Sequence, residues 1–541
     1  MRRMKIRLRS GRPECTLLRA ASEFRDGTSG PDAGGIAAAC GGRGVCGRCT
    51  VFLRDDPRIP GRGEEEAALL RRTPLLPGES PPAGFSLRAA CRCTIPEGID
   101  SIEICIPSAA ARAGSSVPDP GISDGRMLFG DGGGEIFIAA DIGTTSVCVC
   151  AAEREPRGED AGKVRIISER VIGDPTSSFG GDVISKISAC GASPGNRERM
   201  TSALREALLE ASLGAAGGRR ISGAVAAGNP VMTCLLAGTD PSPIGRYPFS
   251  LPGIFGRTVD AGLPFPVFAA PLVAPYTGSD ILLGASYIAT RPENAGYRTV
   301  MVADLGTNCE FALFDRRSAG GKSGGPLFSS AAAGPAFEAS GISCGMPAGP
   351  GAVCGVSAAG GGFELETLGG APPAGLCGSG LSDAVAALLE NGMLASDGTL
   401  RVPGGADGVE LAPGLSLTRR DIRLYQLAKG AVASAFSLCL REAGITPDGL
   451  DALFLAGAFG SALRPHSAAA AGLFPGFPED RIFSAGNTSA AGAALYAADG
   501  SFREFAASAA SCPRVVDPSL SPGFETVFMA SLAFPDNNRQ I

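Results

Sequence analysis

The chain has 541 residues, enough for two to four domains with complete cores, and it is mildly acidic: 48 Lys and Arg against 54 Asp and Glu give a net charge of −6. Tryptophan is absent and no basic patch is interleaved with aromatics, which argues against a nucleic-acid partner. No run approaches the roughly 18 apolar residues of a membrane span, and no apolar segment follows the charged start MRRMKIRLRS, so a cytoplasmic protein without membrane segment or secretory signal is expected.

From the N-terminus, MKIRLRS alternates as a strand does and CTLLRAA continues a hairpin or begins a helix. The stretch CGGRGVCGRC follows, with Cys40, Cys46 and Cys49, and runs into the strand Thr50-Val51-Phe52-Leu53. Residues 64–72 (EEEAALLRR) read as a short helix. The segment RAACRC brings Cys91 and Cys93, and IEICI (102–106) reads as a closing strand. Four thiolates can hold an iron–sulfur cluster, and glycines let the backbone wrap it and leave amides free to bond sulfur. Five residues separate Cys40 from Cys46 and two separate Cys46 from Cys49. That spacing resembles the variant found in many bacterial [2Fe–2S] domains. A zinc site would favour a second CxxC pair, and only Cys46 and Cys49 make one. From spacing alone the fourth ligand is Cys91 or Cys93. The other cysteines, of 17 in all, lie mostly among apolar or small residues and read as buried hydrophobes.

Residues 108–134 are rich in Ser, Ala, Gly and Pro and read as a linker. From residue 135 onward strands and helices alternate, an α/β pattern. Here AADIGTTSVCV (139–149) recurs as VADLGTNCEFAL (302–313), which implies two similar lobes facing each other. In each copy a strand ends in Asp-x-Gly-Thr and a turn follows. Backbone N–H groups and hydroxyls of Gly143, Thr144 and Thr145, and of Gly306, Thr307 and Asn308, can bind phosphate oxygens there. Asp141 and Asp304 would hold Mg²⁺, usually through water. A third element, Leu455-Ala456-Gly457-Ala458-Phe459-Gly460, follows an apolar strand, and Gly457, Ala458 and Gly460 would let an adenosine lie against the backbone. The Gly-rich start of a helix at Gly378 and Ser379 suits an anion, and Asp383 could simply be a charge in its first turn. The loop 334–352 is long and Gly-rich, as binding loops often are. The single histidine, His466, reads as a surface residue.

Together the three elements resemble the phosphate and adenosine motifs of the acetate and sugar kinase, Hsp70 and actin (ASKHA) superfamily. With the cysteine module in front, the chain resembles the reductive activators of corrinoid-dependent enzymes over nearly its whole length. The stretches GGDVISKI (180–187), AAGNPVMTCLLAGTDP (226–241), SCGMPAGPGAV (343–353), GLCGSGLSDAV (375–385) and DIRLYQLAKGAV (421–432) carry that likeness in the same order. The resemblance implies a multidomain α/β protein: a β-grasp ferredoxin-like [2Fe–2S] domain over 1–107, a linker over 108–134, and a two-lobed actin-like ATPase with lobes at 135–296 and 297–541. Its RAACR pattern puts the fourth ligand at Cys91. It further implies ATP and Mg²⁺ as cofactors, a corrinoid protein of a methyltransferase system as partner, and an upstream electron donor. The reaction would return Co(II) to Co(I) with one electron. A homodimer is compatible with it, and nothing in the sequence requires one. Loop 334–352 becomes a candidate partner-facing segment. Two positions depart from the pattern: Cys309 stands where Gly is usual, which should tighten the second phosphate turn, and Cys234 stands where His is common. The competing readings are a redox-sensing metabolite kinase and a non-enzymatic electron-transfer protein with a degenerate nucleotide site.

Overall fold

The computed structural model describes residues 2–7, 15–17, 50–64, 66–67, 70, 81–90, 92–106, 117–122, 127–129, 136–155, 162–180, 182–306, 308–316, 325–339, 341–346, 348–360, 362–402 and 407–536. Cys40, Cys46, Cys49, Cys91 and Thr307 lie outside the described residues. The chain divides into two compact units. One holds Met1–Ser116 with Gly349–Gly351 and Glu366–Pro372; the other holds Val117–Ala348, Ala352–Leu365 and Pro373–Ile541.

In the first unit, β1 (Arg2–Arg7), β2 (Thr50–Arg54), β3 (Phe85–Ala89) and β4 (Ser101–Ile106) form an antiparallel sheet in the order β1-β4-β2-β3. Period-two alternation sorts its side chains. Val51 and Leu53 join Ile102 and Ile104 in one core with Leu17 and Ile95, while Phe52 packs with Phe85 and Cys105 on the other face. Just before Cys91 in sequence, Arg88 donates to both oxygens of Glu66, at 2.8 and 3.0 Å, and the Ala89 N–H donates to the same carboxylate at 2.9 Å. Planar pairing of this kind satisfies both charges where water is excluded, and it fixes the strand that leads into the cysteine segment.

The second unit contains two sheets of the same plan. The first has β5 (Ile136–Ile142), β6 (Ser146–Arg154), β7 (Lys163–Gly173), β8 (Ile221–Gly228) and β9 (Val267–Ala269), in the order β9-β8-β5-β6-β7. The second has β10 (Thr299–Leu305), β11 (Cys309–Asp315), β12 (Leu327–Ala331), β13 (Ala452–Ala456) and β14 (Ile482–Gly486), in the order β14-β13-β10-β11-β12. Strand directions also match. β8 runs parallel to β5 and β9 as β13 does to β10 and β14, and the two hairpin strands that follow are antiparallel in both. The recurring motif in the sequence is thus the first hairpin of a five-stranded core that a seven-stranded and a six-stranded sheet share.

Two helices fill the space between the sheets: α1 (Ser279–Thr290), and α4 (Thr488–Ala498) from near the C-terminus. On the far side of the second sheet lie α2 (Gly378–Glu390) and α3 (Arg419–Ala443). Alternation along β10 sends Met301, Ala303 and Leu305 toward α2 and α3, and Val300 and Val302 toward the inner helices. Backbones touch where α1 crosses α4. A Cβ on Gly492 would lie 2.3 Å from the Leu283 carbonyl oxygen, and one on Gly284 would lie 2.5 Å from Thr488 Oγ1. Only glycine allows that approach.

The expected linker is shorter than the sequence suggests. Val117 is buried, Gly121–Ile122 pairs with Lys163–Val164, and Tyr287 and Arg291 both donate to the Asp119 carbonyl, at 2.8 and 3.0 Å. The Leu128 N–H donates to the Ala497 carbonyl at 2.7 Å, and the Phe129 ring covers Gly223. Spaced apolar residues, Val117, Met127, Leu128 and Phe129, tie this Gly-rich stretch to the inner core. Among the described residues no helix is long and apolar enough to cross a membrane.

Candidate nucleotide site between the two sheets

Both Asp-x-Gly-Thr turns leave the carboxyl ends of the central strands, β5 and β10. In the first turn the Gly143 N–H donates to the Ser146 carbonyl at 3.1 Å, so four residues, 143–146, span from β5 to β6. In the second the Gly306 N–H donates to the Asn308 carbonyl at 2.9 Å and Leu305 already pairs with Cys309, a turn one residue tighter. Cys309 is therefore a strand residue, buried in the second-lobe core, and burial among carboxylates holds its thiol well above the usual range. Cys234 is likewise a core residue, on the helix Pro230–Leu236, with its thiol pushed up to about 12 by burial.

Gly457 opens the third element directly beside Asp304. Strand β13 pairs with β10 so that Ala456 faces Asp304, and Gly457 takes a φ of +80°. A Cβ there would meet Asp304 Oδ1 at 2.2 Å. Ala458 is exposed while Phe459 and Gly460 are buried, so the short helix Gly457–Gly460 presents one small residue outward. Gly378 and Ser379 are placed differently from the expectation of an open anion site. A Cβ on Gly378 would lie 1.8 Å from the Phe337 carbonyl oxygen, and the Ser379 hydroxyl donates to the Cys354 carbonyl at 3.1 Å. The segment Pro335–Glu338 covers the start of α2, and the glycine serves close packing. Asp383 is buried on the same helix, paired with Arg464 at 3.0 Å and accepting from Ser467 at 2.5 Å.

The two lobes converge on carboxylates. Asp141 accepts hydrogen bonds from Asn487 Nδ2 and Ser489 Oγ, both at 2.9 Å, from the start of α4. Sequence reasoning missed two further acids here. Asp280 opens α1, and Glu310, the strand partner of Asp304, faces it from β11 and takes the Gly278 N–H. Burial raises every member of the group, and mutual repulsion adds to it for Asp280, Asp304 and Glu310. Asp280 is pushed up to about 7 by burial and by the charge of Asp141. Asp304 and Glu310 rise well above the carboxylate range for the same reasons, and Asp141 rises through burial despite its two donors. Internal symmetry was the available signal for Asp280: Gly278-Ser279-Asp280 starts α1 as Asn487-Thr488-Ser489 starts α4. Glu310 is the lone charge in CEFALF, which alternation places on the face it shares with Ala312 and Phe314, toward the inner helices and opposite Cys309, Phe311 and Leu313.

A pH dependence follows. The Asp280 carboxyl, at 3.8 when free and about 7 in the fold, keeps its proton in the folded chain over a window where the unfolded chain has lost it. The unfolded state then binds fewer protons, so stability falls as pH rises from about 4 to about 7. A divalent cation favours the ionised forms. Thermal unfolding is expected to show a larger stabilisation by Mg²⁺ at pH 7.5 than at pH 5.5. Equal gains at both would mean that these acids do not titrate in the cleft. Among the described residues no three His, Cys, Asp or Glu side chains are arranged to ligate one ion directly.

His466 sits outside this arrangement. It lies on the helix Pro465–Ala470 between Glu479 and Glu390, at 3.0 and 2.5 Å, and is largely exposed. Partial burial works against its charge, but the two carboxylates prevail and raise its pKa. In the first unit, Cys93 packs in the core and burial pushes its thiol up to about 12, an environment that disfavours a thiolate ligand.

Duplicated sheets with paired phosphate turns and a small-residue third element define a two-lobed nucleotide-binding protein of the ASKHA class. Two family models match: the RACo middle region over 136–290 and the C-terminal ASKHA domain of RACo over 298–541. The chain belongs to the RACo family. It is 29% identical over 445 residues to the corrinoid activation enzyme RamQ of Eubacterium limosum, covering 74% of this chain and 70% of that protein. It is 31% identical over 214 residues to the [Co(II) methylated amine-specific corrinoid protein] reductase of Methanosarcina barkeri, 35% of this chain and 37% of that one. A solved reductive activator for a corrinoid, iron–sulfur protein has the same fold, with a TM-score of 0.65 and 24% identity over 93% of this chain and 94% of that one.

Proposed function

We propose that this protein is an ATP-dependent reductive activator of a corrinoid protein, passing one electron from a [2Fe–2S] cluster to return Co(II) to Co(I). The observation that carries the reading is a cleft with both Asp-x-Gly-Thr turns and Gly457 against Asp304, on a chain that also bears CGGRGVCGRC. Its likeness to RamQ through both lobes supports the same conclusion. Asp141 and Asp304 would hold Mg²⁺ through water. Gly143, Thr144, Thr145, Gly306, Thr307 and Asn308 would take the phosphates, and Gly457, Ala458 and Gly460 the adenosine, with Gly378 and Ser379 as packing beneath. Cys40, Cys46, Cys49 and Cys91 would hold the cluster, reduced by an upstream donor.

An uphill step of 100 mV costs about 2.3 kcal/mol per electron, more than a simple ferredoxin supplies, and nucleotide binding that favours one lobe arrangement can meet it. The purified protein, mixed with a Co(II) corrinoid protein, a reductant and Mg-ATP, is expected to generate Co(I) absorbance. No Co(I) above the ATP-free control would overturn the proposal.

A further inference from the structure

Thr145, in the first-lobe phosphate turn, donates from Oγ1 to Glu338 Oε1 at 3.0 Å. Glu338 ends the short turn of helix Pro335–Glu338 and belongs to the second lobe. Its carboxylate therefore stands within one hydrogen bond of a hydroxyl that the phosphate motif would turn toward nucleotide. We propose that Glu338 is a catalytic residue of ATP hydrolysis, the base that takes a proton from the attacking water. The inference rests on the ATPase reading above.

Three features hold the carboxylate in place. Phe337 stacks on Phe459 of the third element, with centroids 4.9 Å apart and planes 14° from parallel, and its edge meets Tyr425 at 5.6 Å. Ala339 has a φ of +59°, a left-handed conformation that a non-glycine residue adopts only where its surroundings impose it. Gly345 presses on that strained residue so closely that a Cβ would lie 1.8 Å from the Ala339 carbonyl oxygen. The neighbouring acids are placed for other work. Asp141 is occupied by Asn487 and Ser489, Glu310 takes the Gly278 N–H, and Asp304 is backed by Gly457. Glu338 is only half-buried, so water reaches it.

In the step, the water oxygen bonds to the γ-phosphorus, and the bond from that phosphorus to the bridging oxygen breaks. ADP leaves with the electron pair, and one water proton passes to Glu338, which then releases it to solvent. Glu338→Gln keeps an oxygen that can accept from Thr145 but removes the proton acceptor, whereas Glu338→Ala removes both. With folding checked by binding of a non-hydrolysable ATP analogue, Glu338→Gln is expected to lower kcat by about 10²- to 10⁴-fold. ATP affinity should change little, so the loss falls on kcat and not on binding. Wild-type kcat in Glu338→Gln with a loss only in Glu338→Ala would mean that the residue merely links the lobes, and would overturn the inference. A wild-type protein that binds Mg-ATP without hydrolysing it would instead sink the ATPase reading.

Discussion

Asp304→Ala is expected to lower ATP hydrolysis by about 10²-fold or more, the scale seen when one preorganised electrostatic group is removed from a reacting site. The same substitution is expected to leave the nucleotide-free protein as stable as before, or more stable. Asp304 sits among Asp141, Asp280 and Glu310 at a site where burial and repulsion oppose its charge, so deleting it relieves a cost of folding. Asp141→Ala should also abolish turnover but with the opposite effect on stability. It strands the Asn487 and Ser489 donors, and unsatisfied polar groups of this kind cost about 1–3 kcal/mol. Steady-state phosphate release and thermal unfolding separate the two variants. Asp304→Ala with wild-type turnover would remove the second phosphate turn from the mechanism.

Gly492→Val is expected to damage stability and activity together. The added Cβ meets a backbone carbonyl at 2.3 Å, which cannot rotate away as a side chain could. Helices α1 and α4 must separate, at about 1–3 kcal/mol for an overpacked core, and the unfolding midpoint should drop by several degrees. Because α4 begins with Asn487 and Ser489, the shift also draws donors away from Asp141. Gly284→Ala should be milder, since its nearest neighbour is the Thr488 hydroxyl, the end of a side chain. An unchanged midpoint and unchanged turnover in Gly492→Val would show that the helix crossing tolerates separation.

Much of the architecture is legible in local pattern. The repeated Asp-x-Gly-Thr turns mark both central hairpins because turn chemistry is written in consecutive residues. Gly457 is legible for the same reason. What pattern could not show is how distant segments meet. Asn487 lies 346 residues from Asp141 and Glu338 lies 193 from Thr145, and no local periodicity encodes such contacts. The Gly-rich start of α2 misled for a related reason. Glycine permits both an open anion cradle and a close backbone approach, and Phe337 covering Gly378 decides for the second. The stretch after Ser116 misled through composition, because a few spaced apolar residues among Gly and Pro suffice to anchor it.

That anchoring shortens the stretch of chain between the strand core of the first unit and the core of the second. Strand β4 ends at Ile106 and Val117 is already part of the nucleotide-binding unit's core, leaving ten residues, 107–116, between them. Ten residues, fully extended, span at most about 35 Å.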